Sequence, residues 1–251
     1  MKKILTALTV MISSLIIAQV SGEVSYITKK DMHRGLPDNE RGDRMRSFLP
    51  EFAEFQNQLL FTSDETVYKN LPEDEVEGVD LDDQDRRKNH MMRRMAPADD
   101  IIYCNVEKGL IVAKKEFMDK VFLIRDTLNI TQWKITGEQK EVSGMNCMKA
   151  EFIPEEGDTN KVVAWFTPEI SVASGPAGYG GLPGLIVHID VNDGELQISL
   201  TSMVMRDIAE GEIEEPVKGK EMTQEEYDEM RMKKIEQMKK QREGQKGGGF
   251  H

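Results

Sequence analysis

The sequence predicts a mainly β protein whose antiparallel strands form a meander, curled into a strongly curved sheet or half-open barrel and followed by a C-terminal helix. Three observations support this fold class. Short runs rich in β-branched and aromatic residues alternate with period two, turn residues separate these runs, and strand and helix patterns do not alternate along the chain. A two-sheet sandwich is the alternative that the patterns leave open.

The predicted strands fall into three groups along the chain. Residues 23–30 and 55–70 are predicted as two strands, and a meander of short strands follows over residues 99–135. Two hairpins are then predicted over residues 142–170 and 185–205. The total is about eight to eleven antiparallel strands.

The last hairpin has the clearest alternation. Leu185, Val187 and Ile189 are predicted on one face of its first strand, and Ile186 and His188 on the other. The segment Asn-Asp-Gly that ends this strand predicts a tight turn at Asp193–Gly194.

The N-terminus has the pattern of a secretory signal peptide over residues 1–22. Lys2 and Lys3 precede an apolar stretch of about 15 residues, which is shorter than the roughly 20 needed to span a bilayer. Cleavage is predicted after Ala18 or after Gly22. We therefore expect an exported protein, periplasmic or secreted, without a transmembrane anchor.

The charge of the chain bears on its partners. The formal net charge is −12, and it becomes −14 when Lys2 and Lys3 are removed with the signal peptide. Binding to nucleic acid needs a clustered basic face, so no nucleic-acid partner is expected. The sequence leaves the oligomeric state open.

Two charged stretches divide the mature chain. Residues 73–85 contain eight acidic and no basic residues, and a basic group follows them. This composition predicts a solvated, flexible insertion over residues 73–100. Residues 211–251 are predicted as a charged tail, with a helix from about Thr223 to Arg242 that begins at a capping box of Thr223 and Glu226. Residues 23–210 then form one β-rich domain around the insertion.

A glycine-rich loop precedes the most apolar predicted strand. Its sequence, SGPAGYGGLPG from Ser174 to Gly184, lacks the lysine of a phosphate-binding loop and the Gly-x-Ser-x-Gly of a nucleophile turn. We interpret its glycines as permitting unusual backbone angles before the strand, and Tyr179 as a lid on the edge of the core. No catalytic constellation is recognised, so neither an enzymatic activity nor a cofactor is expected.

A segment rich in methionine and histidine offers an alternative function. It contains His90, Met91, Met92 and Met95, and soft ligands of this kind suit Cu(I). Arg93 and Arg94 within the segment disfavour a cation, and methionines also fill gaps in apolar cores. Handling of copper in the periplasm is therefore an alternative function for the protein.

The two cysteines predict a disulfide. Cys104 and Cys147 both fall in predicted strands of an exported chain and lack the spacing of a metal site. A bond between them would stabilise the fold by about 4 kcal/mol through loop closure. Two buried thiols are the alternative.

The motif GLPGLI resembles the one for which the GLPGLI family of Bacteroidota envelope proteins is named. The surrounding residues agree in order and spacing over about half of the mature chain. The hexapeptide consists of Gly181, Leu182, Pro183, Gly184, Leu185 and Ile186. The other matching residues are Trp133, Ile135, Lys140, Gly144, Cys147, Lys149, Ala150, Trp165, Thr167, Glu169 and Ile170. The resemblance implies a secreted or periplasmic β-rich protein with no established activity and no catalytic residues.

These inferences lead to an expected function of binding. An amphipathic curved sheet with little helix to cover it must curl, pair with another sheet or bind something apolar. We therefore expect an accessory protein of the cell envelope that holds an apolar, lipid-like ligand or docks on an outer-membrane protein. The side chains expected to line its ligand face are those of Trp133, Ile135, Trp165, Leu185, Val187 and Ile189.

Overall fold

A computed structural model describes residues 20–71, 100–128, 132–154 and 159–247. It confirms a mainly β protein, built on one curved, unclosed sheet of twelve strands. The strands are β1 (Gly22–Asp31), β2 (Phe52–Phe61), β3 (Glu65–Asn70), β4 (Ile101–Asn105), β5 (Leu110–Phe117), β6 (Lys120–Thr127), β7 (Trp133–Val142), β8 (Met145–Phe152), β9 (Val162–Thr167), β10 (Leu185–Val191), β11 (Leu196–Met205) and β12 (Lys220–Met222). Within the same described residues, the helices are α1 (Glu40–Phe48) and α2 (Gln224–Gly247), and a short 3₁₀ turn spans Pro176–Gly178.

The sheet consists of two meanders joined through β1. The strand order is β12-β6-β5-β4-β3-β2-β1-β11-β10-β9-β8-β7, so β1 pairs with β2 on one side and with β11 on the other. Every neighbouring pair is antiparallel except β12 and β6, which are parallel. The predicted meander and curved sheet are therefore confirmed, and the parallel strand at one end makes the sheet mixed.

Tight turns with left-handed residues connect several strands. Met118 and Asp119 join β5 to β6 with φ values of 52° and 58°, as in the two-residue turns that match the twist of a hairpin. Ser143 joins β7 to β8 together with Gly144 and has a φ of 50°. The turn predicted after β10 is also present, where Asn192 and Asp193 have positive φ.

The region 55–70 forms a hairpin, β2–β3, where the sequence predicted one strand. Its turn is held by Thr62, whose Oγ1 accepts hydrogen bonds from the backbone N–H groups of Asp64 and Glu65. Helix α1 was not predicted. Asn39 caps it by accepting from the N–H groups of Arg41 and Gly42, both at 3.1 Å.

The main core lies between the central strands, the β7–β8 hairpin and the loop before β10. Among its fully buried side chains are those of Tyr26, Phe61, Phe166 and Ile198, and Leu185 is also completely buried. The hairpin reaches across β9 and β10, because Ser143 Oγ at its tip donates to the carbonyl oxygen of Leu200 on β11. The curled sheet thus fills its interior with its own side chains.

Residues 206–219 cross one side of the sheet from the end of β11 to the start of β12. Ile213, near the middle of this strap, packs on the buried side chains of Tyr103, Val112 and Leu123. Arg206 anchors the first part by ion pairs with Glu212 and Glu23, at 2.7 and 3.0 Å. Part of the predicted tail therefore packs on the β-rich body.

The ion pairs of Arg206 with Glu212 and Glu23 predict that the stability of the fold falls at acidic pH. Hydrogen bonds from Arg206 and from the backbone of Ala209 lower the pKa of Glu212 to about 2. Because the folded-state pKa is depressed, the contribution to stability is complete above the pKa of the unfolded chain and is lost as pH falls toward 2. We expect Arg206→Gln to lower the melting temperature at pH 7 but to have little effect near pH 2.

Circular dichroism melting curves between pH 2 and pH 7 would measure this difference. Arg44→Gln is the matched control, because Arg44 is exposed and, among the described residues, its side chain donates to the backbone carbonyl of Glu40 and has no ion pair. An equal destabilisation by Arg206→Gln at all pH values would contradict the assignment.

Helix α2 begins at the predicted capping box and docks on the sheet. Glu226 accepts a hydrogen bond from the N–H of Thr223, and its own N–H donates to Thr223 Oγ1, at 3.0 and 3.2 Å. Tyr227 is 4% exposed and packs edge-on against Phe122 of β6, with ring centroids 5.6 Å apart. The first turns of α2 therefore cover the end of the sheet at β5 and β6.

Candidate functional site

The glycine-rich loop folds back over the sheet instead of leading directly into β10. A bridge between Ser174 and Gly180 and a hydrogen bond from the N–H of Gly181 to Ala173 O, at 3.2 Å, hold its two arms together. Its 3₁₀ turn contacts β3 and β4. The loop thus links the β9–β10 region with the other meander of the sheet.

Two glycines of the loop are required by close packing. A Cβ at Gly184 would lie 2.1 Å from the carbonyl oxygen of Thr167, and Gly184 has a φ of +153°. A Cβ at Gly175 would lie 2.6 Å from the Cβ of Ile186. The glycines therefore permit close backbone approach, as the sequence predicted.

The apolar residues of the hexapeptide anchor the loop in the core. Leu182, Leu185 and Ile186 are at most 2% exposed. Tyr26 on the central strand donates from its hydroxyl to the carbonyl oxygen of Ile186, at 2.7 Å. Ile186, predicted on the face of β10 opposite Leu185, is buried as well, because the loop passes over it at Gly175.

Trp133 fixes the loop from the edge strand β7. Its Nε1 donates to the carbonyl oxygen of Gly180 at 2.9 Å. Its ring lies 6.3 Å from that of Tyr179 and 6.4 Å from that of Phe152, measured between centroids. Tyr179 is partly buried in this cluster and packs against the main core, consistent with the predicted lid.

A small recess opens beneath the loop. It has a volume of about 80 Å³, and its lining is mostly apolar. The lining residues are Thr66, Cys104, Val106, Leu128, Ala173, Ser174, Gly178, Tyr179, Gly180 and Gly181. The recess therefore lies where β3 and β4 meet the loop, and it can accept a small apolar group.

The predicted disulfide is absent from the structure, in which Cys104 and Cys147 are two buried, free thiols. Cys104 lies on β4 and Cys147 on β8, and six strands separate these two in the sheet. A disulfide needs its two Cα atoms within about 7 Å of each other. Residues on adjacent strands can meet this limit, but β4 and β8 are not adjacent in the sheet. Cys147 instead packs in the main core, and Cys104 lines the recess.

The thiols are expected to be unreactive in the folded protein. Burial raises the pKa of Cys104 to about 11 and also raises the pKa of Cys147, so both are protonated at neutral pH. Ellman's reagent at pH 7.5 should detect two thiols per chain in guanidinium chloride without reductant, and almost none before unfolding. Detection of two thiols only after reduction would contradict the structure.

His188 lies on the other face of β10, half-buried beside Ser199 of β11. Its Nδ1 is 2.8 Å from Ser199 Oγ. Burial and the nearby Lys140 lower the pKa of His188, so the ring is neutral at neutral pH. Lys140 Nζ lies over the ring of Trp165, 3.9 Å from its centroid. His188, predicted on the face of β10 opposite Leu185, is therefore half-buried near Lys140 of β7.

The six residues predicted as an apolar ligand face do not share one environment. Leu185, Val187 and Ile189 are completely buried. A bulge in β10 between Ile186 and His188 places an extra residue, Val187, in the strand. Trp133 and Trp165 are partly buried against the core, whereas Ile135 is 44% exposed. The predicted face is mainly core.

The predicted copper segment lies outside the described residues. His90, Met91, Met92 and Met95 belong to it. Within the described ranges, no group of three or more His, Cys, Asp and Glu side chains is arranged to hold a metal ion. The same ranges contain no helix that is both long enough and apolar enough to cross a membrane.

Sequence reasoning did not find the recess. Its walls come from β3, β4, the residue after β6 and the glycine loop, which are far apart in the chain. The glycine loop itself was the available signal, because it marked where backbone would approach another element closely. Residues that line the other side of the recess, such as Thr66 and Leu128, carry no motif.

Comparison with known proteins gives a local family match and a shared fold. A family described as "Protein of unknown function (Porph_ging)" matches residues 154–188, which include the hexapeptide. No curated protein matches the chain.

Among solved structures, PNGF-II in space group C2 is similar to 85% of this chain, with a TM-score of 0.53 and 16% identity. PNGF-II in space group P2₁ is similar to 84% of it, with a TM-score of 0.52 and 14% identity. The matched regions make up 32% and 33% of the PNGF-II chains, so this chain spans about a third of their length. At this level of identity the likeness shows a shared fold alone.

Proposed function

We propose that the protein is a non-enzymatic binding protein of the cell envelope, which takes an apolar group into the recess beneath its glycine loop. The observation that carries the proposal is the mostly apolar recess of about 80 Å³ between the loop and strands β3 and β4. Binding sites are typically concave and mostly apolar, with few polar groups. Here the polar side chains among the lining residues are those of Thr66, Cys104, Ser174 and Tyr179.

The recess replaces the wide concave face as the proposed ligand site. Leu185, Val187 and Ile189 fill the space that an acyl chain would have occupied along β10. The volume beneath the loop suits a few carbon atoms, such as the end of an acyl chain or an aliphatic side chain. The ligand would therefore insert one end, while the rest of it lies outside the recess.

The side chains around the recess support binding over catalysis. A nucleophilic cysteine is a thiolate, but burial raises the pKa of Cys104 to about 11. The neutral His188 forms its hydrogen bond with Ser199 on adjacent strands, and the recess is lined by neither residue. These features favour a group held by packing alone.

We also propose that the protein is exported, and the contacts of its N-terminal residues bear on where the signal peptide would be cleaved. Ser21 and Gly22 are buried, and Ser21 Oγ donates to the carbonyl oxygen of Arg206 at 2.8 Å. Cleavage after Gly22 would remove the start of β1. These contacts favour Ala18 as the processing site, which leaves β1 complete.

The proposal is tested by titration with cis-parinaric acid, a fluorescent fatty acid. Ala173 lines the recess and is exposed, so Ala173→Trp should obstruct the recess without burying a new group in the core. We expect saturable binding to the wild-type protein and at least tenfold weaker binding to this variant. The matched control, Ser171→Trp, adds the same ring at a nearby exposed residue outside the lining and should bind as the wild type does.

Two results would count against the proposal. The first is no saturable binding by the wild-type protein. The second is equal binding by Ala173→Trp and the wild type, which would place the fatty acid elsewhere. Native mass spectrometry of the protein isolated from its own envelope would show whether a ligand is carried there.

A further inference from the structure

A second concave surface lies at the opposite end of the sheet from β7. Strand β12 and helix α2 enclose a groove of about 540 Å³, which is within the usual range of ligand sites. The groove is lined by Lys220, Glu221, Met222, Glu226, Glu229, Met230, Lys233, Lys234 and Gln237. We call this surface the β12–α2 groove.

The strand side of the groove is a sheet edge. Lys220–Met222 pair with Phe122–Ile124 of β6, and β12 is the terminal strand in the sheet order. Within the described ranges, no strand pairs with the outer side of β12. An edge strand beside a helix is the arrangement in which an extended peptide can add a strand by main-chain hydrogen bonds.

The floor of the groove is apolar. Met222 from β12 and Met230 from α2 are partly buried, and both pack against the cluster of Phe122, Ile124 and Tyr227. Methionine side chains are flexible and adapt to different apolar partners. The floor can therefore receive an aliphatic side chain from a segment that lies along β12.

The charges on the rim are not balanced once their contacts are counted. Glu221 pairs with Arg125 at 3.3 Å, and Glu229 pairs with Lys233 at 2.9 Å. The Glu226 carboxylate accepts the capping hydrogen bond at the start of α2. By contrast, the exposed Lys220 and Lys234 have no ion pair with another described residue.

We propose that the β12–α2 groove binds an extended acidic peptide segment of a partner protein. The segment adds a strand to the free edge of β12, places an apolar side chain on Met222 and Met230, and brings carboxylates to Lys220 and Lys234. Charge complementarity argues for an acidic segment, since the two rim charges that have neither an ion pair nor a hydrogen bond with a described residue, Lys220 and Lys234, are both ammonium groups. A sheet edge argues for a peptide over a lipid surface, because a lipid does not supply a ladder of backbone donors and acceptors.

The test uses the full-length chain and a fluorescein-labelled peptide of alternating Glu and Val, followed by fluorescence anisotropy at low salt. We expect saturable binding, and at least tenfold weaker binding to the double variant Lys220→Glu, Lys234→Glu. The matched control is Lys108→Glu, Lys218→Glu, which makes the same charge change at exposed lysines outside the groove. This control should bind as the wild type does.

A second measurement separates strand addition from attraction of charge. Amide hydrogen exchange at residues 220–222 should slow on addition of the peptide, whereas vesicles of phosphatidylglycerol should leave it unchanged. Three results would each overturn the proposal. The first is an equal loss of peptide affinity in both double variants, and the second is unchanged amide hydrogen exchange at residues 220–222 when the peptide binds. The third is binding of the protein to the vesicles without binding to the peptide. Because the recess lies elsewhere, failure here would leave the fatty-acid experiment unaffected.

Discussion

Replacement of Gly184 by alanine is expected to destabilise the protein by about 3–5 kcal/mol, combining backbone strain with overpacking. The added Cβ would lie 2.1 Å from Thr167 O and 3.0 Å from the Cα of Pro168, so backbone has to move. The φ of +153° is also one that alanine rarely adopts. In a domain of this size, the melting temperature should fall by about 10 °C or more.

Gly109→Ala is the matched control for this experiment. Gly109 also has a positive φ, +60°, but a Cβ there would meet no atom within 4 Å. Its replacement should cost only about 1–2 kcal/mol, the strain of the left-handed conformation. If urea unfolding shows an equal loss of unfolding free energy for the two variants, the contact with Thr167 is not the reason that glycine is required at position 184.

The packing of the hexapeptide explains its composition without a ligand. Gly184 allows β10 to begin against the end of β9, and Leu182 and Leu185 fill the core. The carbonyl oxygen of Ile186 accepts a hydrogen bond from the hydroxyl of Tyr26. Each of these contacts builds the loop that covers the recess. The motif therefore supports the loop that covers the recess, and among its six residues Gly181 also lines the recess.

The strands could be predicted because their apolar alternation is a local property. The elements that were missed have weak local signals: β12 has only three residues, and α1 contains Gly42, an unfavourable residue inside a helix. The prediction of a disulfide was wrong for a different reason. Two cysteines in strands indicate nothing about their positions across the sheet, and here β4 and β8 belong to different meanders.

The candidate site was less predictable than the fold. The residues that surround the recess, such as Thr66, Leu128 and Ala173, meet only because the loop before β10 crosses to the other meander. No periodic pattern records such a crossing. Alternation along β10 indicated which residues share a face with Ile186, but it contains no information about the loop that buries this residue.

Replacement of Leu185 by alanine is expected to cost about 3–5 kcal/mol of unfolding free energy, as for other fully buried leucines. Leu185 has no exposed surface and belongs to the main core. Ile135 was predicted on the same ligand face but is 44% exposed on the edge strand β7, so Ile135→Ala should cost about 0.5 kcal/mol or less. Urea unfolding followed by tryptophan fluorescence would measure both values.

This pair of variants also distinguishes a core from a ligand-binding face. If the six predicted residues lined an open groove, Leu185→Ala would weaken the binding of cis-parinaric acid while leaving the unfolding free energy nearly unchanged, because no packed neighbours would be lost. The structure requires the opposite at Leu185, since its truncation creates a cavity within a filled core. A loss of stability at Leu185 with almost none at Ile135 would show that Leu185 belongs to a filled core and not to an open groove.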